Sequence, residues 1–283
     1  MKKVLISEDN QYVANRIINN PLGVVGIISP KGAGKQSFIE YLGEQILSEG
    51  SAQYLKKITA SSKEAMETAK SIRKFLSLTV PGKKTIKRVV TIADFEHFGH
   101  EAQNSLLKAF EELNTDTVII ISVSNSKNVL DTIKSRAKWY KLRPVRLNES
   151  FELLPQYDRG TIEKNWHISQ GSLGLLIDLL QADKEHNLAK SIEKAKELLQ
   201  SKRYERLIQI EPLTKDTESV HDLLDAMARL LRSALLQKAK KADNYKVNSD
   251  NLANQLNLVL RSQEKLASKT NSKIVLTSLF FSL

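Results

Sequence analysis

The chain contains no cysteine, which excludes disulfides, a thiolate nucleophile and any zinc site built on thiolates. Its five histidines are scattered without metal-ligand spacing, so no metal centre is expected. No apolar run approaches the roughly 20 residues that cross a bilayer as a helix. The opening MKKVLISEDNQ lacks the apolar stretch of a secretory signal. These absences lead to the expectation of a cytoplasmic protein with no membrane partner. Internal repeats are missing as well.

What remains is an ordinary globular composition, 41% hydrophobic and 27% charged over 283 residues, enough for two or three domains. Lys and Arg outnumber Asp and Glu by 43 to 32, a net charge of +11. That excess favours contact with a polyanion, and a solvated basic face explains it equally well. It is densest in GKKTIKR (82–88) and QKAKKADNYK (237–246).

One short stretch carries a chemical signal. ISPKGAGKQS (28–37) resembles the phosphate-binding pattern G-x-x-x-x-G-K-[ST], whose backbone N–H groups wrap phosphates, whose Lys reaches the β and γ oxygens and whose hydroxyl holds Mg²⁺. Gly34 and Lys35 fit. Ser29 stands at the first glycine and Gln36 at the hydroxyl. Ser37 is no substitute, because one further helical residue turns the side chain by about 100°.

From residue 22 to 142, β-rich runs alternate with helical patterns, which predicts a parallel sheet with covering helices. The runs are 23–28, 52–59, 87–92, 117–122 and 138–142, with RVVTI and TVIIIS nearly continuous as central strands require. Ligands are expected at their C-terminal ends. SSKEAMETAKSIRKFLSL (61–78) opens on Ser61-x-x-Glu64, a capping box, with Ala65, Ala69, Ile72 and Leu76 at helical spacing. HEAQNSLLKAFEEL (100–113) has Ala102, Leu106, Phe110 and Leu113 on one stripe. After Pro144 the strand signal stops. A small helical unit and then long helices follow, with 238–251 as the expected flexible connection.

Several segments taken in order resemble the clamp-loader branch of the AAA+ ATPases, and within it the delta-prime family of bacterial DNA polymerase III. RVVTIADFEHFGHEAQNSLLKAFEE (88–112) is similar to the Walker B strand and the helix after it. TVIIISVSNSKNVLDTIKSRA (117–137) is similar to the sensor-1 strand followed by the S-R-C turn. ISQGSLGLLIDLL (168–180) is similar to the lid's sensor-2 helix, and TNSKIVLTSLFFSL (270–283) to the last collar helix. The resemblance implies an α/β AAA+ domain with a P-loop NTPase-like parallel sheet (1–147), a helical lid (148–183) and an all-α collar or oligomerisation domain (184–283).

The departures from that pattern carry the mechanism. At the two Walker B carboxylates the chain has Ala93 and Asp94, or Asp94 and Phe95 if the alignment shifts, so one is missing either way. Leu175 stands where the sensor-2 Arg is expected. Phosphoryl transfer depends on positioning and charge neutralisation, so these losses imply a subunit that does not hydrolyse ATP and holds no tight cofactor. Lys31, Gly32, Gly34 and Lys35 would at most cradle a weakly held nucleotide, phosphate or sulfate. The alternative is a strand-to-helix turn kept by its glycines.

Ser135-Arg136 is retained, with Ala137 in place of the Cys. In the family this Arg acts as a finger in trans, on the γ-phosphate held by a neighbour. Asn125 matches the sensor-1 polar residue, with a turn role as the reading favoured here. The family's zinc module has no counterpart, since 48–54 runs straight through SEGSAQY. The partners implied are a gamma/tau-like ATPase subunit and a delta-like subunit, the sliding clamp indirectly, and primer-template DNA. An active gamma/tau-like motor, a delta-like subunit and a general DNA-binding protein remain as alternatives.

Overall fold

The computed structural model describes residues 4–47, 54–81, 85–181, 187–241, 247–268 and 270–283. The β-branched runs form five parallel strands: β1 (Gly23–Ile28), β2 (Leu55–Thr59), β3 (Arg88–Ala93), β4 (Thr117–Val123) and β5 (Ala137–Lys141). Their order across the sheet is β2-β3-β4-β1-β5. The sequence pattern gives β1 residue for residue and the others to within a few residues. Positions 52–53 of the second run lie outside the described residues.

Every residue of β3 and β4 is buried, because helices cover both faces of a parallel sheet. Strand alternation divides the side chains between two cores. Val24, Val90, Ile92, Ile119 and Ile121 pack with α3 (Ala65–Ser77) and α4 (His100–Glu111) on one face. Val25, Ile27, Val89, Val118 and Ile120 pack with α1 (Glu8–Asn19) and α2 (Lys35–Leu47) on the other. Each fully buried aliphatic side chain contributes about 1.5–3 kcal/mol.

The capping box expected at Ser61-x-x-Glu64 is not formed. α3 begins at Ala65, and its N-cap is Glu64, without a side-chain cap bond. The Ser61 hydroxyl instead accepts from Lys63 N in a local turn, a competing bond open to Ser wherever the helix has not begun. The other end of α3 is closed from a distance. Arg88, 2% exposed, donates to the carbonyls of Phe75, Leu76 and Leu78 at 2.6, 2.5 and 2.7 Å. A helix C-terminus leaves such carbonyls without intrahelical donors. Burial lowers the Arg88 pKa from its usual range.

A close approach fixes β5 on β1: a Cβ at Gly26 would stand 2.3 Å from the Trp139 ring. The Trp139 indole N–H in turn donates to Lys134 O at 3.0 Å, in α5 (Asp131–Arg136).

Residues 1–145 and 146–283 form two compact units. The second is helical: α6 (Leu147–Leu153), α7 (Arg159–Ser169), α8 (Leu173–Leu180), α9 (Asn187–Gln200), α10 (Arg203–Ile208), α11 (Ile210–Leu213), α12 (Thr217–Lys241), α13 (Val247–Ala267) and α14 (Ser272–Ser282). Segments expected as lid and as collar share one hydrophobic cluster there, with Ile168 and Leu175 packing among Leu188, Ile192, Leu224 and Met227. The buried Arg229 of α12 donates to Ser169 O of α7 at 2.9 Å. Asn271 caps the last helix, its side chain accepting from Lys273 N and Ile274 N. The connection expected at 238–251 is corrected in part: 238–241 belong to α12 and 247–251 to α13. Residues 242–246, and 82–84 of the first basic run, lie outside the described residues. Among the described residues no helix is long and apolar enough to cross a membrane.

Candidate functional site

Two groups of candidate residues lie at opposite ends of the sheet. The first is the loop between β1 and α2. Gly32 and Gly34 take φ values of 84° and 81°, a left-handed backbone that glycine adopts without steric cost. Their turn is closed by Ala33 N donating to Pro30 O at 3.2 Å. Ser29 is fully buried and hangs from β4 through its N–H to Val123 O at 3.0 Å. Lys31 is half-buried on the turn. The loop therefore has the shape of a phosphate cradle at a helix N-terminus.

Its lysine is already engaged. Lys35 Nζ stands 2.8 Å from Asp94 Oδ1, with side-chain exposures of 8% and 27%, and donates to Ser124 Oγ at 3.0 Å. Asp94 presents its carboxylate from a left-handed backbone, φ 54°, a conformation for which Asp is among the better tolerated residues. The neighbouring Glu96 accepts from Ser124 N at 2.7 Å, fixing the end of β4 that carries the hydroxyl. Gln36 turns along its helix to Glu40, 3.1 Å away, and presents no hydroxyl where the loop pattern places a metal ligand. Asn125 is exposed, and its Oδ1 accepts from Lys127 N at 3.0 Å, closing a short turn. Leu175 is fully buried in the helical core of the second unit. Among the described residues no three His, Asp or Glu side chains gather as metal ligands.

The second group is Ser135-Arg136. Arg136 ends α5, and the next residue, Ala137, pairs with Val24 at the N-terminal start of β1. The phosphate loop leaves the other end of β1. At about 3.3 Å per strand residue, the five residues from Val24 to Ser29 separate the two groups by roughly 16 Å along the sheet. Arg136 is thus outside reach of its own chain's loop. Its side chain is 37% exposed, and its guanidinium lies 2.6 Å from Glu111 Oε1 and donates to Thr132 O at 2.8 Å. The Ser135 hydroxyl donates to Thr132 O of its own helix at 3.1 Å.

Sequence reasoning names Lys35, Asp94 and Arg136 but not the contacts they make. Ser124 and Glu111 were hidden because both contacts are non-local. Gln103 was hidden too: it is fully buried, donates to Phe98 O and Asn128 O, both at 2.7 Å, and accepts from Leu130 N at 2.9 Å. It thereby fastens the start of α4 to the start of α5. A Gln on the apolar face of an amphipathic helix is the one signal that would have found it.

Residues 27–146 match the family described as DNA polymerase III, delta subunit. The replication factor C small subunit of Aeropyrum pernix is 21% identical over 190 residues, 64% of this chain and 57% of that protein. The same subunit from Methanothermobacter thermautotrophicus is 24% identical over 187 residues, 63% of this chain and 56% of that protein. The chain thus matches little more than half the length of these relatives. A DNA polymerase III gamma subunit-related protein from Thermotoga maritima, of known structure, is 18% identical over 96% of this chain and 97% of that one, with a TM-score of 0.49. The segment 27–146, which carries the phosphate-type loop and four of the five strands of the sheet, is thus similar to the clamp-loader branch of the AAA+ proteins.

Proposed function

We propose that this chain is a delta-prime-like stator of a clamp loader. It does not hydrolyse ATP, and it supplies Arg136 in trans to the nucleotide held by a neighbouring gamma/tau-like ATPase subunit. The observation that carries this reading is the separation of the two groups along the sheet. The exposed Arg lies roughly 16 Å from the chain's own loop, so a phosphate it meets must belong to another chain. The state of that loop supports the same conclusion. Its lysine is neutralised by Asp94, its metal hydroxyl is replaced by Gln36, and a phosphate entering it must displace a carboxylate held at 2.8 Å. Such a site does not fit Mg²⁺-nucleotide. A weakly held phosphate or sulfate is the most that Gly32, Gly34 and Lys35 would accept.

In this reading the helical second unit joins a collar with delta-like and ATPase partners. The +11 charge provides sequence-independent contacts with the phosphates of primer-template DNA. The assembly, not the chain alone, loads the sliding clamp. A delta-like role is the second reading, favoured by the description of the family matched over 27–146; the retained Ser135-Arg136 pair favours delta-prime.

The test pairs calorimetric titration of the purified chain by Mg-ATP with turnover of the reconstituted loader carrying wild-type chain or Arg136→Ala. The expected result is no heat of binding by the isolated chain and a collapse of loader turnover in the variant. Turnover by the isolated chain would overturn the stator reading. Unchanged turnover in the variant would transfer the chain to the delta-like reading.

A further inference from the structure

We infer that Glu111 is a positioning residue for Arg136, holding one edge of the guanidinium so that its remaining N–H groups face outward. The inference rests on the trans role proposed for Arg136. Glu111 is the last residue of α4, where the helix dipole disfavours an acid. The ion pair it makes is nevertheless non-local, with Arg136 Nη2 at 2.6 Å. The adjoining Glu112 behaves differently. It lies 4.0 Å from Lys108 on its own helix and is 68% exposed, an ordinary solvated pair worth little. Of two successive glutamates, only Glu111 reaches across to the other helix.

The other cations near Arg136 have their own partners, which leaves this contact specific. Lys134 pairs with Asp131 at 3.0 Å, and Lys138 lies over the Tyr140 ring, 5.8 Å from its centre. An arginine carries five N–H donors in a rigid planar fork. Glu111 and Thr132 O take one each, and the rest stay available. A cavity of about 500 Å³ opens beside the pair, lined by Gly23, Val24, Phe110 and Leu113 with Glu111 and Arg136 themselves. That space admits an incoming phosphate edge. It also means that an unheld Arg136 would wander, since an exposed arginine gives up considerable rotamer freedom whenever it is fixed. With Gln103 fastening the start of α4 to the start of α5 and Glu111 reaching the end of α5, the two helices are held at both ends. The direction of the finger is thereby set by α4.

The experiment uses the reconstituted loader and measures kcat and KM for ATP with Glu111→Ala, Glu111→Gln, Arg136→Ala and the Glu111→Ala/Arg136→Ala pair. Misplacing a transition-state group is costly. Glu111→Ala is therefore expected to lower kcat about tenfold with KM unchanged. Glu111→Gln should recover part of the loss, because its amide oxygen still accepts from Nη2. The double variant should be no slower than Arg136→Ala alone, and the thermal midpoint should not move in any variant. Unchanged or raised kcat in Glu111→Ala, while Arg136→Ala collapses turnover, would overturn the inference and leave the trans role standing. A double variant slower than Arg136→Ala would also overturn it, since Glu111 would then act through something else. If Arg136→Ala itself has no effect, the trans role fails first.

Discussion

The two ends of one sheet have taken opposite courses. At the C-terminal end of the strands the phosphate loop closes on itself: Lys35 is 8% exposed and bound to Asp94 and Ser124, and Ser29 is sealed in the core. At the N-terminal end Arg136 is 37% exposed, beside an open cavity. The comparison teaches that one sheet can hold a lysine neutralised at one end of its strands and an exposed arginine at the other, and under the proposed function only the second meets a nucleotide. The same lysine that would reach a phosphate now serves as a cross-link between α2 and the ends of β3 and β4.

The largest effect that would break this comparison is the loss of loader turnover on Arg136→Ala. Fingers in other phosphoryl-transfer systems are worth about 10³ to 10⁵ in rate, and a drop of about 10³ is expected at the site it faces. Urea unfolding of the free chain should be unchanged.

Next in size is Gly26→Val. Its side chain would collide with the Trp139 ring, at a cost of about 3 kcal/mol in urea unfolding. Because Trp139 also holds Lys134 O, the displaced ring should disturb α5 and slow the loader as well. Loss of stability with full turnover would show that the ring and the finger are independent.

Lys35→Met sharpens the contrast from the other end. It leaves the partly buried Asp94 without its cation, which should cost about 1–2 kcal/mol after allowance for solvent screening, again read in urea. Loader turnover should stay at the wild-type level. A motor's loop lysine would behave in the reverse way, with little loss of stability and no turnover.

The smallest effect lies between the two ends. Lys57 of β2 is held by a hydrogen bond from its ammonium to Glu44 and by Glu40, which together raise its pKa above the usual 10.5. A raised folded-state value means the contribution is complete below 10.5 and fades as pH climbs through the folded value. Unfolding midpoints of wild type and Lys57→Met should therefore differ slightly at neutral pH and converge in strong alkali. Midpoints that stay apart there would show that the difference does not come from the charge of Lys57.

Much of the first unit was legible because its signals are local. The run GVVGII carries β1 in its own composition, and the stripe of Ala102, Leu106 and Phe110 predicts the buried face of α4. The capping box at Ser61 failed because that hydroxyl had a nearer donor in Lys63 N. The expected break at 238–251 was overestimated because Lys- and Ala-rich sequence favours helix as readily as linker, and both flanking helices run into it.

By itself the sequence determined the parallel sheet, the change to helices among the described residues after Pro144, and the presence of Gln36 and of Ser135-Arg136 at their places in the pattern. Those are properties of residue identity and of short-range period, which act before the chain folds. Only the tertiary structure decided that Asp94 neutralises Lys35, that Arg88 closes α3, and that Glu111 meets Arg136 across two helices. Each of these joins groups far apart in the chain, and a charge acquires a partner only when packing fixes the distance between them within a few ångströms.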